Sequence, residues 1–139
     1  MSLVRTRAQY RNGGVNLRSF ETPRRRLAPP SWRARHEQWN LEPIDSWWLV
    51  VSVKAECRGC DSVRHADSRQ VAPFRLLLLS AEPLDFDSEP VRVAPDLVDD
   101  LGLRGAPHYA VVSPDGWVVA EGAVFDLEQV LSEISTLVV

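Results

Sequence analysis

The chain has 139 residues, of which 45% are hydrophobic and 25% are charged, enough for one domain with its own core and too few for two. No apolar run approaches the roughly 20 residues that a membrane-spanning helix needs, which excludes a membrane span. Two cysteines cannot form the disulfide framework of a small secreted scaffold. Because the N-terminus also lacks the apolar stretch of a secretory signal, we expect a cytoplasmic protein.

The net charge of −3 conceals two segments of opposite charge. Residues 1–40 contain nine arginines and two glutamates, a net charge of +7, whereas residues 41–139 contain seven basic and 17 acidic residues, a net charge of −10. The first segment has no sustained hydrophobic periodicity, and its Gly-Gly and Pro-Pro dipeptides interrupt regular structure. We therefore predict an Arg-rich extension over residues 1–40, with a short helix near Trp32–Trp39, ahead of a folded domain over residues 41–139.

Two interpretations of the extension are open. Its arginines can belong to a solvated, poorly structured tail, or they can dock on an acidic surface: a partner protein, the acidic domain of the same chain, or a nucleic acid. A nucleic acid is the least favoured, because the domain is acidic and has no recognised nucleic-acid-binding motif. Aromatic residues among the arginines favour docking, since a solvating tail gains nothing from them. They are Tyr10, Phe20, Trp32 and Trp39.

The elements of the domain begin with a buried strand. The runs SWWLVVSV and FRLLLLS are almost continuously apolar, as in strands that are buried on both faces of a sheet. Between them, Gly59 to about Gln70 is predicted to be a polar helix, so the two strands should be parallel and joined by a right-handed crossover. A short helix is predicted over Asp96–Leu101, closed by Gly102 or Gly105.

The C-terminal part is predicted to be a hairpin followed by a helix. Two apolar runs in HYAVVSPDGWVVAEG flank a turn at Ser113–Gly116, whose Pro and Gly suit the backbone angles of a β-turn. Asp126 should cap the last helix, with Gln129 in the capping-box position. The order β-α-β-(α)-β-β-α therefore predicts an α/β fold with a mixed central sheet. The apolar stripe of the last helix consists of Leu127, Val130, Leu131 and Ile134.

The only two cysteines, Cys57 and Cys60, lie where the first strand ends and the first helix begins. A helix N-terminus stabilises a thiolate, so a C-x-x-C pair in this position is typical of a reactive dithiol whose first cysteine is exposed. The alternatives are two buried structural thiols, or a zinc or copper site that also uses His65 and His108. Because C-x-x-C-x4-H is not a recognised zinc motif, we assign no metal and no cofactor.

This arrangement resembles the thioredoxin family, in particular its reductase-like branch. The likeness covers about residues 45–139: the strand–CxxC–helix segment, a second strand, the G-x-P…PDG hairpin in GLRGAPHYAVVSPDGWVVAEG, and the terminal helix. The resemblance implies a thioredoxin fold in which Pro107 is the cis-proline of the family. It further implies that Cys57 attacks a disulfide in a protein substrate and Cys60 resolves the mixed disulfide.

The proline and its neighbours would hold the substrate backbone in such a protein, namely Ala106, Pro107 and His108. For His108 a second role stays open, as a ligand or as a neighbour that tunes the pKa of Cys57. The simpler interpretation, which we favour, is a strand residue turned into the sheet or toward solvent.

Three positions depart from the thioredoxin pattern. Glu56 replaces the usual Trp before the first cysteine and should raise the pKa of Cys57, whereas Arg58 should lower it. The buried acid that relays protons in the family falls on Val51. We therefore expect a protein-disulfide reductase that is partner-restricted rather than a general thioredoxin. The alternative is a non-catalytic thioredoxin-fold subunit of a larger complex, bound to a stable partner through residues 1–40.

Overall fold

The computed structural model describes residues 25–41, 43–86, 89–103 and 105–137. Its strands are β1 (Arg26–Leu27), β2 (Trp48–Ser52), β3 (Arg75–Ser80), β4 (Val91–Val93), β5 (His108–Val112) and β6 (Trp117–Ala123). Its α-helices are α1 (Pro30–Trp39), α2 (Asp61–Arg64), α3 (Pro95–Asp100) and α4 (Leu127–Ile134), with 3₁₀ turns at Arg58–Cys60 and Ser135–Leu137. None of the described helices has the length and apolar character needed to cross a bilayer.

The strands form one mixed sheet in the order β1-β6-β5-β2-β3-β4. β2 and β3 are parallel, with Leu49 opposite Leu76, and α2 lies between them in the chain, which confirms the predicted parallel pair joined through a helix. On its other side β2 pairs antiparallel with β5, which in turn pairs antiparallel with β6. The hairpin turn also forms where predicted: the Gly116 N–H donates to the Ser113 carbonyl, and Gly116 takes a φ of +84° that only glycine adopts at low cost.

The central strand separates two hydrophobic cores. Every residue of β2 is buried, and its side chains alternate between the two faces of the sheet. Leu49 and Val51 belong to a first core that α2 and α4 cover, whereas Trp48 and Val50 belong to a second core that α1 and α3 cover. Burial on both faces explains why this strand is almost continuously apolar in sequence.

Helix α4 matches its prediction closely. Asp126 accepts a hydrogen bond from the Gln129 N–H at 2.8 Å, as a helix cap should. The four residues of the predicted apolar stripe lie against the first core, three of them buried and one half-buried. The short helix α3 is also confirmed, and Gly102 follows it with a φ of +72°.

A helix was predicted over Gly59–Gln70, but the observed helix, α2, has only four residues and ends at Arg64. The Asp67 carboxylate accepts hydrogen bonds from the N–H groups of Arg69 and Gln70, at 2.9 and 3.1 Å. Such local bonds offer the backbone an alternative to the helix. The strand β4 was not predicted, since its three residues are too few to show a periodicity.

Residues 25–40, here called the N-terminal segment, correct the predicted boundary at residue 41. The helix expected near Trp32–Trp39 forms, but it packs on the domain instead of belonging to a poorly structured extension. β1 pairs antiparallel with β6 at the edge of the sheet, and Trp32 is 3% exposed within the second core. Trp32 is the physical reason for the correction, because its burial ties the segment to the fold. The rest of the predicted extension lies outside the described residues.

The arginines of the N-terminal segment contact the acidic domain of the same chain, one of the docking surfaces left open by the sequence. Arg26 forms an ion pair with Glu121 at 2.6 Å, and Arg35 forms one with Asp96 at 2.6 Å. The hydrogen bond from Arg35 holds the pKa of Asp96 below its usual value. Exposed ion pairs of this kind stabilise a fold by only about 0–1 kcal/mol each, so the buried aromatic side chain holds the segment more firmly.

His36 is enclosed between the rings of Trp32 and Trp48, whose centroids lie 4.2 and 4.9 Å from its own. The imidazole is only 2% exposed. Its Nδ1 lies 3.2 Å from the Trp32 carbonyl oxygen, so Nδ1 carries the proton of the neutral ring. No described residue forms a hydrogen bond with Nε2. Burial lowers the pKa of His36, which keeps the ring neutral in the folded protein.

We predict that acidification destabilises the fold through His36. Because its pKa is lowered in the folded state, the unfolded chain binds an extra proton once the pH falls below the usual histidine value of 6.5. The contribution of the neutral His36 ring to the free energy of unfolding is thus complete above pH 6.5 and is lost as the pH falls toward the lowered pKa of the folded state. Urea unfolding at about pH 7.5 and about pH 5.5 should differ by about 1 kcal/mol more in the wild type than in His36→Phe. An unchanged difference in His36→Phe contradicts the assignment.

Candidate active site

The two cysteines lie at the corner between β2 and α2 and form a disulfide, with their Cα atoms 5.3 Å apart. Cys57 is half-buried, whereas Cys60 is only 3% exposed. The Cys60 N–H donates to the Cys57 carbonyl at 3.2 Å and closes the 3₁₀ turn that precedes α2. The pair therefore has the predicted arrangement of an accessible first cysteine and a deeper second one. The four-residue α2 supplies fewer aligned peptide dipoles than the long helix expected from the sequence.

Pro107 lies directly against the CxxC turn. The Ala106–Pro107 peptide bond is cis, and β5 begins at the next residue. A Cβ atom placed on Gly59 would lie 2.8 Å from Cδ and 3.1 Å from Cγ of Pro107. Such a distance is shorter than van der Waals contact, so the turn and the proline ring can touch only because residue 59 has no side chain.

Ser52, the last residue of β2, holds the segment that contains Pro107. Its hydroxyl donates to the Gly105 carbonyl at 3.0 Å and accepts from the His108 N–H at 3.1 Å. The side chain is 3% exposed, so these bonds form out of water, where losing a partner is costly. Ser52 is not among the predicted site residues; its signal in the sequence is a single hydroxyl in an otherwise apolar run ahead of the cysteines.

A third loop completes the surroundings of the disulfide. The Val124 N–H, just after β6, donates to the Pro107 carbonyl at 3.1 Å. Val124 is 5% exposed and belongs to the same core as Cys60. Ala106 and Cys57 pack against that core as half-buried residues. The CxxC turn, the proline loop (residues 105–108) and the loop after β6 are thus joined by short contacts at one end of the sheet.

Comparisons with known proteins give a match of structure but not of sequence. No protein-family model and no curated protein matches the chain. An exposed lipoprotein thioredoxin from Streptococcus pneumoniae strain TIGR4 is similar in structure, with a TM-score of 0.51 and 18% identity over 64% of this chain and 85% of the other. The chain has a thioredoxin fold. As in the fold expected from the sequence, the CxxC turn joins the central strand to a helix and faces the proline.

Two further solved structures are similar at lower scores. One is the thioredoxin domain of a thiol-disulfide oxidoreductase from Bacteroides vulgatus, with a TM-score of 0.49 and 15% identity over 68% of this chain and 81% of the other. The second is a thiol:disulfide interchange protein of the thioredoxin family from Chlorobium tepidum TLS. Its TM-score is 0.44, with 15% identity over 64% of this chain and 79% of the other.

The residues that depart from the thioredoxin pattern take different positions in this thioredoxin fold. Val51 is fully buried in β2, next to Leu78 and Tyr109 on the neighbouring strands. Glu56 and Arg58 are both exposed and flank Cys57 in the chain. Glu56 adopts a φ of +55°, a left-handed conformation that is uncommon outside glycine, as the backbone turns from β2 into the CxxC segment.

The two histidines of the alternative metal site lie on different elements. His65 directly follows α2, whereas His108 begins β5 as a half-buried strand residue opposite Ser52. Among the described residues, no group of three or more His, Cys, Asp or Glu side chains is placed to hold a metal ion.

We predict that Ser52→Ala loosens the proline loop. The substitution leaves the Gly105 carbonyl and the His108 N–H without the Ser52 hydroxyl, which should lower the free energy of unfolding by about 1–3 kcal/mol. It should also slow disulfide exchange with a protein substrate several-fold, about three- to tenfold, because the loop beside the disulfide is less well positioned.

The matched control is Ser80→Ala. Ser80 is as deeply buried, 2% exposed, but its hydroxyl accepts from the Glu82 N–H at the end of β3. This variant should lose stability without a change in the exchange rate. Urea unfolding and a stopped-flow exchange assay measure the two quantities, and equal slowing in both variants would show that Ser52 has no specific role.

Proposed function

We propose that this protein exchanges a dithiol for a disulfide in a protein partner through Cys57 and Cys60. The observation that carries the proposal is the disulfide itself, which lies at a strand-to-helix corner against Pro107, with its first cysteine accessible and its second buried. Structural thiols buried in a core lack this difference in access. The thioredoxin fold supports the proposal as an analogy of fold.

The proposed reaction starts from the reduced protein. The Cys57 thiolate attacks one sulfur of the partner disulfide, forming a mixed disulfide and releasing the other partner sulfur as a thiolate that takes up a proton. The Cys60 thiolate then attacks Sγ of Cys57 and releases the second partner thiolate. The partner gains two electrons and two protons, and Cys57 and Cys60 end as the disulfide that the structure contains. A dithiol reductant must restore the starting state.

Pro107 and its neighbours Ala106 and His108 are proposed to hold the substrate backbone. The hydrogen bonds from Ser52 and Val124 support this role, because they fix the proline loop from both sides before a substrate arrives. A fixed loop loses little conformational entropy when a substrate strand pairs with it.

We also propose that exchange is partner-restricted. An apolar Val51 in place of a buried acid leaves proton transfer at Cys60 to water or to the partner, which should slow exchange with general substrates. The rate of insulin reduction tests this proposal, because insulin serves as a general disulfide substrate. If this protein reduces insulin as fast as an ordinary thioredoxin does, exchange is not partner-restricted, although the exchange reaction itself stands.

The central experiment traps the mixed disulfide. In Cys60→Ser the resolving thiol is missing, so Cys57 should remain joined to the oxidised partner as a stable covalent adduct, in at least about tenfold excess over the Cys57→Ser control. Non-reducing electrophoresis and mass spectrometry of the linked peptides measure the adduct. If Cys57 resists iodoacetamide in the folded, reduced protein but reacts after unfolding, the catalytic proposal is wrong.

Glu56 and Arg58 should shift the pKa of Cys57 in opposite directions. Glu56→Gln removes a negative charge and should lower the thiol pKa, whereas Arg58→Gln removes a positive charge and should raise it. Because both side chains are exposed, each change should alter the alkylation rate at neutral pH by at most about fivefold. The pH dependence of alkylation in a Cys60→Ser background measures the pKa; equal shifts of the same sign would contradict the assignment.

The same experiments separate the alternative, a non-catalytic subunit held in a complex through residues 1–40. That protein would form no Cys57 adduct but would co-purify with a partner and lose it when residues 1–24 are deleted. The deletion keeps the N-terminal segment, because residues 25–40 are part of the fold.

A further inference from the structure

Phe125 is an exposed aromatic residue in the loop after β6, which contacts the proline loop beside the disulfide. It is 79% exposed, and the other exposed large apolar side chains among the described residues are Leu27 and Val93, at 64% and 39%. Exposing a phenyl ring forgoes the free energy that burial would provide. Single exposed apolar residues are common, so the position of Phe125 and the rigidity of its backbone carry the argument.

The backbone of Phe125 is held on both sides. Its own N–H donates to the Gln129 side-chain oxygen at 2.9 Å, and the Gln129 N–H donates to the Asp126 carboxylate at 2.8 Å. On the other side, Val124 is buried and donates to the Pro107 carbonyl at 3.1 Å. The loop therefore presents the ring from a fixed backbone, which reduces the entropy lost when a partner contacts it.

The same loop brings the backbone before Phe125 close to the CxxC turn and to Pro107. Phe125 directly follows Val124, whose N–H donates to the Pro107 carbonyl. The Val124 carbonyl oxygen lies 4.0 Å from the position that a Cβ on Gly59 would take. A protein chain that reaches Cys57 and pairs beside Pro107 must pass close to this loop. Leu27 lies instead on β1 opposite Trp117, at the start of β6, whereas Phe125 follows the other end of that strand.

We infer that Phe125 contacts the partner protein beside its disulfide and selects partners that carry a large apolar side chain next to the reacting cysteine. The inference rests on the proposed exchange reaction and specifies its substrate class. A ring that is solvated in the free protein and covered in the complex adds binding free energy only when the partner offers apolar surface. Phe125 is thus a specificity residue, and the chemistry at Cys57 does not depend on it.

Two synthetic peptides test the inference. Each contains one intramolecular disulfide, and they differ only in having Phe or Ser beside the cysteines. The reduced full-length protein should react about tenfold faster with the Phe peptide, in kcat/KM, and Phe125→Ala should reduce this preference to about twofold or less. Phe125→Leu keeps an apolar side chain and should retain most of it. Leu27→Ala is the matched control and should behave like the wild type.

A small disulfide separates the inference from the proposed function. Hydroxyethyl disulfide has no flanking residues, so wild type and Phe125→Ala should react with it at equal rates. If the wild type reacts with neither peptide nor with the small disulfide, the proposed function itself fails. If it reacts but has no preference, or if Phe125→Ala keeps the full preference, the exchange reaction stands and the role of Phe125 is wrong.

Discussion

The contact between Gly59 and Pro107 determines how the site is assembled. The proline ring occupies the space that a side chain at residue 59 would need, since a Cβ there would lie 2.8 Å from Cδ. Ser52 at the end of β2 and Val124 just after β6 hold the proline loop in this position through hydrogen bonds from either side of β5. The disulfide therefore lies against a surface that is already formed, and Cys57 remains accessible while Cys60 enters the core.

The sheet connects this site to the opposite face of the molecule. β2 carries Val51 toward the core below the disulfide and Trp48 toward the core beneath α1. The N-terminal segment completes that second core with Trp32 and His36, so its attachment depends on aromatic packing more than on its exposed ion pairs. The composition of this basic segment predicts a solvated tail, but its buried aromatic residues make it part of the fold.

The predictions that held depend on local chemistry. The alternation of strand and helix, the Ser113–Gly116 turn and the Asp126 cap are each specified within a few residues, and the C-x-x-C spacing places both cysteines in one turn. The predictions that failed did so for two different reasons. The arginine content obscured the burial of Trp32 against a core built from distant strands. The early end of α2 instead coincides with local hydrogen bonds that the Asp67 carboxylate accepts.

By itself the sequence determined the order of the main strands and helices from β2 onward except for β4, the mixed α/β architecture and the position of the dithiol at a strand-to-helix corner, because periodicity, caps and turns act over short distances. Only the tertiary structure decided that Gly59 must be small, that the Ser52 hydroxyl holds the proline loop and that Phe125 is exposed in the loop after β6. The contact of Gly59 with Pro107 and the hydrogen bonds of Ser52 each join residues about 50 positions apart in the chain. Such contacts exist only once the sheet has brought the strand ends together.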